Sequence, residues 1–317
     1  MLSRTADHLY WMARYVERAE NTARMLDVNW QTTLLPQSER LAQRSWRAML
    51  DISELTAPYL QRHAGVGAEA VLDFMVRDPA NASSIVSCLH RARENARAVR
   101  GSLTTEVWET QNATWLELSR LLADGLHLRD PSQFFEWVKF RSHLARGVVA
   151  GTMLQDEALH FTRIGAFLER ADNTARILDV RFHEADEAGQ TDSGDTHREF
   201  YHWAAILRSV SAFEIYRRVY RDVITPERVA ELLILRHDMP RSLAASMNEL
   251  HANLEAVAVD RAGETMRLAG RLRSELHYAR IDDILARGLH AYLTEFLERI
   301  NAIGDRISRD FLLPLAA

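Results

Sequence analysis

Cysteine is almost absent from this chain of 317 residues, in which Cys88 is the single example. One thiol cannot form a disulfide within the chain, and such a composition suits a reducing compartment. Cys88 itself is expected to be a small core residue. The chain also lacks a run of about 18 apolar residues, and its N-terminus lacks the apolar stretch of a signal peptide. The sequence therefore predicts a cytoplasmic protein without a membrane span.

An excess of positive charge is missing as well. The formal net charge is −5 and the pI is near 6.2, so nothing in the charge favours nucleic acid or an anionic membrane as a partner. The sequence has no Walker phosphate-binding loop, no dinucleotide-binding glycine fingerprint and no Gly-x-Ser-x-Gly elbow. These absences argue against a self-sufficient nucleotide enzyme and a common serine hydrolase, and no cofactor is expected.

Glycine and proline are scarce and stand mostly between segments, as Pro36 and Pro226 do. Within the segments, apolar residues recur three and four positions apart, and the alternation typical of strands does not occur. The pattern predicts an all-α protein. One long helix is expected over 83–122 with a bend at Gly101, and the acidic stretch 184–195 is expected to be a loop.

One predicted helical segment occurs twice. Residues 17–28 read Glu-Arg-Ala-Glu-Asn-Thr-Ala-Arg-Met-Leu-Asp-Val, and residues 169–180 repeat ten of these twelve, with Asp172 and Ile177 as the changes. Both copies lack glycine and proline and are rich in Ala, Leu, Arg and Glu, which favours a helix. Just upstream the similarity collapses, which indicates that the segment itself is under a specific constraint.

The duplication extends beyond this motif. Trp46 and Ser84 have counterparts 157 and 158 residues later, close to the offset of 152 residues between the two motifs. These offsets indicate two diverged halves, residues 1–150 and 151–317. We expect a helical bundle built from two tandem repeats with pseudo-two-fold symmetry, packed as one compact unit.

Each motif helix has a polar face, which provides the main candidate binding residues: Glu17, Asn21 and Arg24, matched by Glu169, Asn173 and Arg176. A charged helix face is usually solvated, and solvated positions tolerate substitution. Here the apolar neighbours differ between the copies, whereas these polar residues do not. We therefore expect the two faces to be at least partly buried in an ion-pair network.

Small residues precede each Glu by one turn, Ala13 in the first copy and Gly165 in the second, and would let another backbone approach. Arg offers a carboxylate a two-pronged donor. Reciprocal pairing of the two faces predicts two ion pairs, Glu169 with Arg24 and Glu17 with Arg176.

A smaller echo of the motif occurs in the segment Glu94-Asn-Ala-Arg97, which follows Arg93. Arg93, Arg97 and Arg100 share one helix face. Two interpretations stay open for this face. One is an exposed helix laced with ion pairs, and the other is an arginine cluster that binds a carboxylate or phosphate.

Two Glu-x-x-His pairs, Glu157/His160 and Glu199/His202, have the spacing of dimetal ligands in helical bundles. Such sites also need one Glu from each of two other helices, and no Glu-bearing helix lies between the two pairs. Chance explains the pairs in a chain with 13 His and many Glu, and no metal is expected.

At the Glu-Arg motif the chain resembles the bacterial alpha-E family of all-helical proteins. The resemblance spans nearly the whole chain and rests on Leu2-Ser-Arg-Thr-Ala, on Leu9-Tyr-Trp-Met-Ala-Arg-Tyr-Val-Glu-Arg-Ala-Glu-Asn21, on Ala92–Arg97 and on Pro240-Arg241-Ser242. It adds Arg241 and Ser242 to the candidate binding residues. Members of this family are typically encoded beside a circularly permuted ATP-grasp peptide-ligase-like protein and a transglutaminase-like protein. The resemblance thus implies these partners and a role in making or modifying peptides.

Three functions compete. The leading one is a non-catalytic or co-catalytic helical partner of an ATP-grasp-type amide ligase, whose Glu/Arg/Asn surface holds a peptide or the ligase. The second is an enzyme in its own right with Glu17 or Glu169 as general acid or base. The third is a structural scaffold in which the motif is a packing network. A cavity lined by the motifs would favour the first two, and a dry, fully paired interface the third.

Overall fold

The protein is all-helical in the part of the chain that the computed structural model describes. That part comprises residues 1–34, 38–191, 196–258 and 263–312. Side chains are described for these residues except in the range 181–199. Sixteen α-helices and a 3-10 turn form its regular structure, and no strand occurs in it. No described helix is both long and apolar enough to cross a bilayer. The all-α prediction is confirmed.

The helices follow one another along the chain in this order: α1 Ser3–Thr33, α2 Glu39–Ile52, α3 Thr56–Leu60, α4 Ala68–Val76, α5 Ile85–Ala98, α6 Thr105–Ala123, α7 Leu126–Arg129, α8 Pro131–Thr152, α9 Glu157–Thr191, α10 Thr196–Ser209, α11 Phe213–Tyr220, α12 Pro226–Ile234, α13 Leu243–Val257, α14 Gly263–Tyr278, α15 Ile281–Arg287 and α16 Leu289–Phe311.

Side-chain caps fix where several helices begin. In each case a Ser, Thr or Asp before the helix accepts a hydrogen bond from a backbone amide of the first turn. The capping residues are Ser38, Ser84, Thr104, Asp130, Thr225 and Ser242. Pro131 and Pro226 stand in the first turn of α8 and α12, where a missing amide hydrogen is tolerated.

The fold consists of two compact units. The first contains residues 1–169 with Phe311 and Leu312, and the second contains residues 170–310, so the boundary between them falls inside α9. The boundary expected near residue 150 separates two repeats of the sequence, which is a different division from that into compact units. It stays a prediction, as does the packing of the two repeats as one unit.

The first unit is organised around α1, which packs against both α5 and α8. His8 Nδ1 lies 2.7 Å from Asn95 Oδ1, and Arg91 donates to the Tyr15 hydroxyl over 3.3 Å. Residues late in α5 thus face residues early in α1, so the two helices run antiparallel. Helix α6 packs against α5 and α8 and completes a ring of four helices, α1, α5, α6 and α8.

The hairpin of α5 and α6 corrects the prediction of one long helix over 83–122. The chain reverses at the 3-10 turn Arg100–Ser102, and α6 returns along α5, where Arg93 Nε donates to Asn112 Oδ1 over 3.0 Å. The Thr104 side chain caps α6, and a cap offers the backbone an alternative to a continuing helix. A glycine in the turn lowers the helix propensity further.

Helix α9 corrects a second prediction. The acidic stretch 184–195 was expected to be a loop, but the helix continues through Thr191. Extending a formed helix adds one hydrogen bond for each residue fixed, so an acidic tail can follow a strong helix. Residues 192–195 lie outside the described part of the chain.

In the second unit, α13 and α14 pack side by side, and Arg273 Nε donates to Asn248 Oδ1 over 3.0 Å. Helix α16 runs antiparallel to α14. The ion pair of Glu275 with Arg299 and the hydrogen bond from Thr265 to Asp310 show this direction.

Candidate functional site

The polar face of α1 meets α8 in a buried ion-pair network. Four α1 residues spaced three or four positions apart are at most 8% exposed, namely Glu17, Glu20, Arg24 and Asp27. Lys139 of α8 donates to the Asp27 carboxylate over 2.8 Å, and Arg146, two turns later in α8, reaches Glu20. The two helices therefore run antiparallel. The expectation that the Glu17 and Arg24 face is buried in ion pairs is confirmed for the first copy.

Glu20 lies at the centre of this network and is fully buried. Its Oε1 accepts from Arg24 Nε at 2.9 Å and from Arg24 Nη2 at 2.7 Å. Its Oε2 accepts from Arg146, which also donates to Glu17 Oε2 over 3.1 Å. Burial alone would lower the pKa of Arg146, but Glu17 and Glu20 outweigh this effect and raise it. Arg146 therefore stays cationic, as compensation of buried carboxylates requires.

His143 stands where the network reaches the surface, with 55% of its side chain exposed. Arg24 Nη2 lies 2.9 Å from its Nε2, and Arg146 Nη2 lies 3.0 Å from its Nδ1. A guanidinium only donates, whereas a neutral imidazole has one N–H and one acceptor nitrogen. A neutral His143 ring can therefore accept in only one of these two contacts.

A second buried carboxylate, that of Glu169 on α9, also pairs with α1. Arg14 Nε donates to its Oε2 over 2.7 Å. Arg18 donates through Nε to Oε1 over 2.6 Å and through Nη2 to Oε2 over 3.0 Å, which is the bidentate fork of an Arg–carboxylate pair. The prediction that Glu169 pairs with Arg24 is wrong. The expectation that a small residue lets another backbone approach is confirmed for Gly165, which packs directly on the backbone of Tyr10.

Glu169 remains ionised in this setting. Burial would raise its pKa, but the charges of Arg18 and Arg14 and their hydrogen bonds outweigh burial and lower it to about 2. The charge of Glu169 raises the pKa of Arg18 in turn. Both oxygens of the carboxylate are occupied by donors, so this group is committed to holding α9 against α1.

The rest of the second copy lies in the second unit. Arg176 donates to the Asp172 carboxylate through Nε at 2.8 Å and Nη2 at 3.0 Å. Asn173 is partly buried on the same helix. The pairing of Glu17 with Arg176 stays a prediction.

Arg241 and Ser242 lie at the start of α13. The backbone carbonyl of Arg241 accepts from the Thr174 hydroxyl over 3.0 Å, which ties this turn to α9 within the second unit. Ser242 Oγ accepts from the Ala245 amide over 2.9 Å and caps the helix. The observed role of Ser242 is thus structural.

Arg93, Glu94 and Arg97 form a separate ladder along α5. Arg93 donates to Glu94 over 2.6 Å, and Arg97 Nε donates to Glu94 over 2.9 Å. The Arg97 side chain is 65% exposed. Arg93 and Arg100 also face the Trp108 ring at 5.9 and 5.4 Å. These contacts fit the interpretation of an exposed helix laced with ion pairs.

Cys88 is confirmed as a core residue. The thiol is buried, and burial raises its pKa to about 12, which keeps it protonated. As for metals, no group of three or more His, Cys, Asp or Glu in the described residues is arranged to hold an ion. Glu157 of the first Glu-x-x-His pair binds the chain's amino group, and the Glu199 side chain lies outside the described residues.

Sequence reasoning missed several members of these networks, among them Arg14, Arg18, His143 and Arg146. Arg18 recurs in both copies of the motif, so the repeat could have revealed it. The position of Arg14 is Ala in the second copy, and the two α8 residues lie outside the motif. Only the packing of α1 with its neighbours shows these three.

Comparison with known proteins places these observations in a family. The Alpha-E model, described as a predicted alpha-helical domain with a conserved ER motif, matches residues 1–312. Uncharacterized proteins of Mycobacterium bovis and Mycobacterium tuberculosis H37Rv are each 24% identical over 330 aligned residues, which cover 94% of this chain and 35% of the relative. The chain thus spans about a third of the length of these curated relatives.

No solved structure matches the chain. The family model, in contrast, covers all but the last few residues of the sequence. The chain therefore belongs to the Alpha-E family.

Proposed function

We propose that this chain is a helical accessory subunit of an ATP-grasp-type amide or peptide ligase, and that it acts in peptide synthesis or modification. A transglutaminase-like protein is a further proposed partner. The observation that carries the proposal is the edge of the α1–α8 network at His143 and Arg146. There the buried ion-pair network reaches the protein surface, and the hydrogen-bond donors of Arg146 and His143 are accessible.

The chemistry of this edge suits a carboxylate. Arg146 is held in place by Glu17 and Glu20 and is 30% exposed. A carboxylate can accept from the exposed part of Arg146 and from an N–H of His143. A peptide terminus or an acidic side chain of the ligase provides such a group.

The length of the relatives supports a role beside another protein. In the mycobacterial proteins the matched region makes up 35% of the chain. The rest of each relative is covalently attached to its matching region. Such attachment is expected when two domains work next to each other.

Glu169 fits the scaffold function better than the enzyme function. A general acid or base works best with a pKa near the operating pH, whereas the pKa of Glu169 is lowered to about 2. Both of its oxygens are held by Arg14 and Arg18. We therefore assign Glu169 a packing role and the His143–Arg146 edge the binding role.

We also infer that the two halves are diverged repeats related by pseudo-two-fold symmetry. Two local features recur at the offset of the repeat. One is the side-chain cap of a helix by Ser84 and by Ser242, and the other is the i,i+4 pair of Arg24 with Glu20 and of Arg176 with Asp172.

The test is co-expression of this chain with the proposed ATP-grasp-type ligase partner. Complex formation is measured by size-exclusion chromatography and the product by mass spectrometry. We expect a complex that forms or directs an amide bond, and we expect His143→Ala and Arg24→Lys to abolish product while circular dichroism shows an intact fold. The matched control is Arg218→Gln, on the exposed face of α11.

Two results would replace the proposal. If the isolated chain turns over a substrate unaided, it is an enzyme in its own right. If both folded variants support full product formation, the network is scaffolding and the binding role of this edge fails.

A further inference from the structure

A groove in the first unit is a second candidate site, separate from the α1–α8 network. Its walls are the end of α6, helix α7 and the first half of α8, and its volume is about 520 Å³. Sites for small molecules occupy roughly 300–1,000 Å³. Neither His143 nor Arg146 lines this groove, so a ligand bound here leaves the edge assigned to the ligase partner open.

The apolar part of the groove is open to solvent. It is lined by Leu121, Leu126, Trp137 and Phe140. Phe140 is 65% exposed, although phenylalanine is among the residues most often buried. Trp137 is partly buried and packs on Phe134, with the two ring centroids 6.3 Å apart, which holds the indole in place. A ligand that covers these rings gains from the burial of apolar surface.

Asp124 brings a negative charge to this groove. It is the C-cap residue of α6 and is exposed. A carboxylate near the C-terminus of a helix opposes the helix dipole, so this charge does not stabilise α6. Among the described residues, the Asp124 carboxylate has neither an ion pair nor a hydrogen bond. It can therefore pair with a cation on a ligand.

The balance of charge in the lining favours a cation. Glu136 provides a second carboxylate, and the ammonium of Lys139 that pairs with it at 2.5 Å is shared with Asp27, at 2.8 Å. Arg129 is the single cation among the residues that line the groove. The face of the Trp137 indole attracts a cation as well.

Arg129 retains donors for a ligand. Its Nη1 donates to the backbone carbonyl of Asp124 over 3.4 Å. It has no ion pair in the part of the chain that the structure describes. Because a guanidinium has five N–H groups, most of them can still bind an acceptor such as a carboxylate.

We propose that this groove binds a primary ammonium group that stands beside a large apolar group. Asp124 holds the ammonium, and Trp137 and Phe140 hold the apolar group. Two sources provide this chemistry, the N-terminal residue of a peptide and a free apolar amino acid. Arg129 distinguishes them, because only the free amino acid has a carboxylate next to its ammonium. The inference goes beyond the proposed function and does not rest on it.

The experiment is an NMR titration of the full chain at about pH 6, where an α-amino group is protonated. The first ligand is L-phenylalaninamide, which has the ammonium alone. The second is L-phenylalanine, which adds a carboxylate, and the third is N-acetyl-L-phenylalaninamide, which has neither charge. The indole N–H signal of Trp137, assigned with Trp137→Phe, reports binding in the groove.

The groove variants are Asp124→Asn and Phe140→Ala, both at exposed positions. Glu109→Gln is the matched control for the first, because it removes an exposed carboxylate of α6 outside the groove. Tyr278→Ala is the control for the second, because it removes an exposed aromatic ring from the second unit. Circular dichroism melting checks that all four variants fold.

We expect saturable binding of phenylalaninamide that shifts the Trp137 signal. Binding of the N-acetyl compound to the wild type, and of phenylalaninamide to either groove variant, should be weaker by about tenfold or more. Both control variants should bind as the wild type does.

The comparison of phenylalanine with its amide identifies the source of the ligand. Tighter binding of phenylalanine would identify a free amino acid, and Arg129→Gln should remove that preference. Equal or weaker binding of phenylalanine would identify a peptide N-terminus. The proposal is overturned if the N-acetyl compound binds as tightly as phenylalaninamide, if either groove variant keeps wild-type affinity, or if the Trp137 signal does not respond.

Discussion

Gly165 of α9 lies directly against the backbone carbonyl of Tyr10 in α1. A Cβ at Gly165 would stand 2.2 Å from that oxygen, far inside the contact distance of the two atoms. One turn later on α9, the Glu169 carboxylate meets Arg14 and Arg18. Positions along α9 and α1 thus increase together, so these segments run parallel where they meet. The glycine sets the close approach that makes this buried ion pair possible.

Substituting Gly165→Ala should destabilise the protein by about 1–3 kcal/mol, because the backbone of Tyr10 must move to make room. The control is Gly147→Ala in α8, where a Cβ meets nothing within 4 Å and where reduced freedom of the unfolded chain should stabilise by about 0.4–1 kcal/mol. Chemical unfolding measures both. Equal stabilities for the two variants would contradict the close contact.

The same geometry explains how far the sequence could predict this site. Helical periodicity was sufficient to predict an all-α fold. Identity between the motif copies was sufficient to predict burial of Glu17 and Glu169. These features could be predicted because each depends on the residue pattern of a single helix.

The partner of Glu169 could not be predicted from the pattern of a single helix. A pairing with Arg24 fits the composition of the motif equally well, but it requires a different alignment of α9 along α1. The contact of Gly165 with Tyr10 fixes that alignment, and Arg24 then lies about two turns beyond the reach of Glu169. The ring nitrogens of His143 are likewise placed only by the antiparallel packing of α8 on α1.

Replacing Glu169→Gln should cost on the order of 3–5 kcal/mol, because it leaves the partly buried Arg14 and Arg18 without a counter-charge. Glu117→Gln is the matched control. Its carboxylate is 37% exposed and lies 3.9 Å from its arginine partners, so the loss should stay within about 0.5 kcal/mol. Urea denaturation compares the two variants, and a similar midpoint for Glu169→Gln and wild type would rule out the buried pair.

The same carboxylate should make stability depend on acid pH. The folded pKa of Glu169 is about 2, below its usual value of 4.5. A depressed folded pKa contributes stability that is present above pH 4.5 and is lost as the pH falls towards 2. The contribution is about 3 kcal/mol. Unfolding free energies of wild type and Glu169→Gln should therefore converge over this window, and parallel pH profiles would contradict the assignment.

Cys88 should be unreactive in the folded protein, because its thiol is buried and its pKa is raised to about 12. A disulfide reagent should modify it only as fast as the first unit opens, and at once in guanidinium. The control is the rate of modification measured at denaturant concentrations below the unfolding transition. Rapid modification of the native chain at neutral pH would show that the thiol is accessible.

His143 and Arg146 should separate the binding role of the network from its structural role. Because the His143 side chain is more than half exposed, His143→Ala should change stability by no more than about 0.5 kcal/mol. Arg146→Ala removes charged hydrogen bonds to Glu17 and Glu20 and should cost about 1.5–3 kcal/mol. Thermal melts of the two single variants and the double variant measure both effects. If His143→Ala destabilises as much as Arg146→Ala, the histidine is part of the scaffold, and loss of ligase product in that variant would no longer indicate a binding edge.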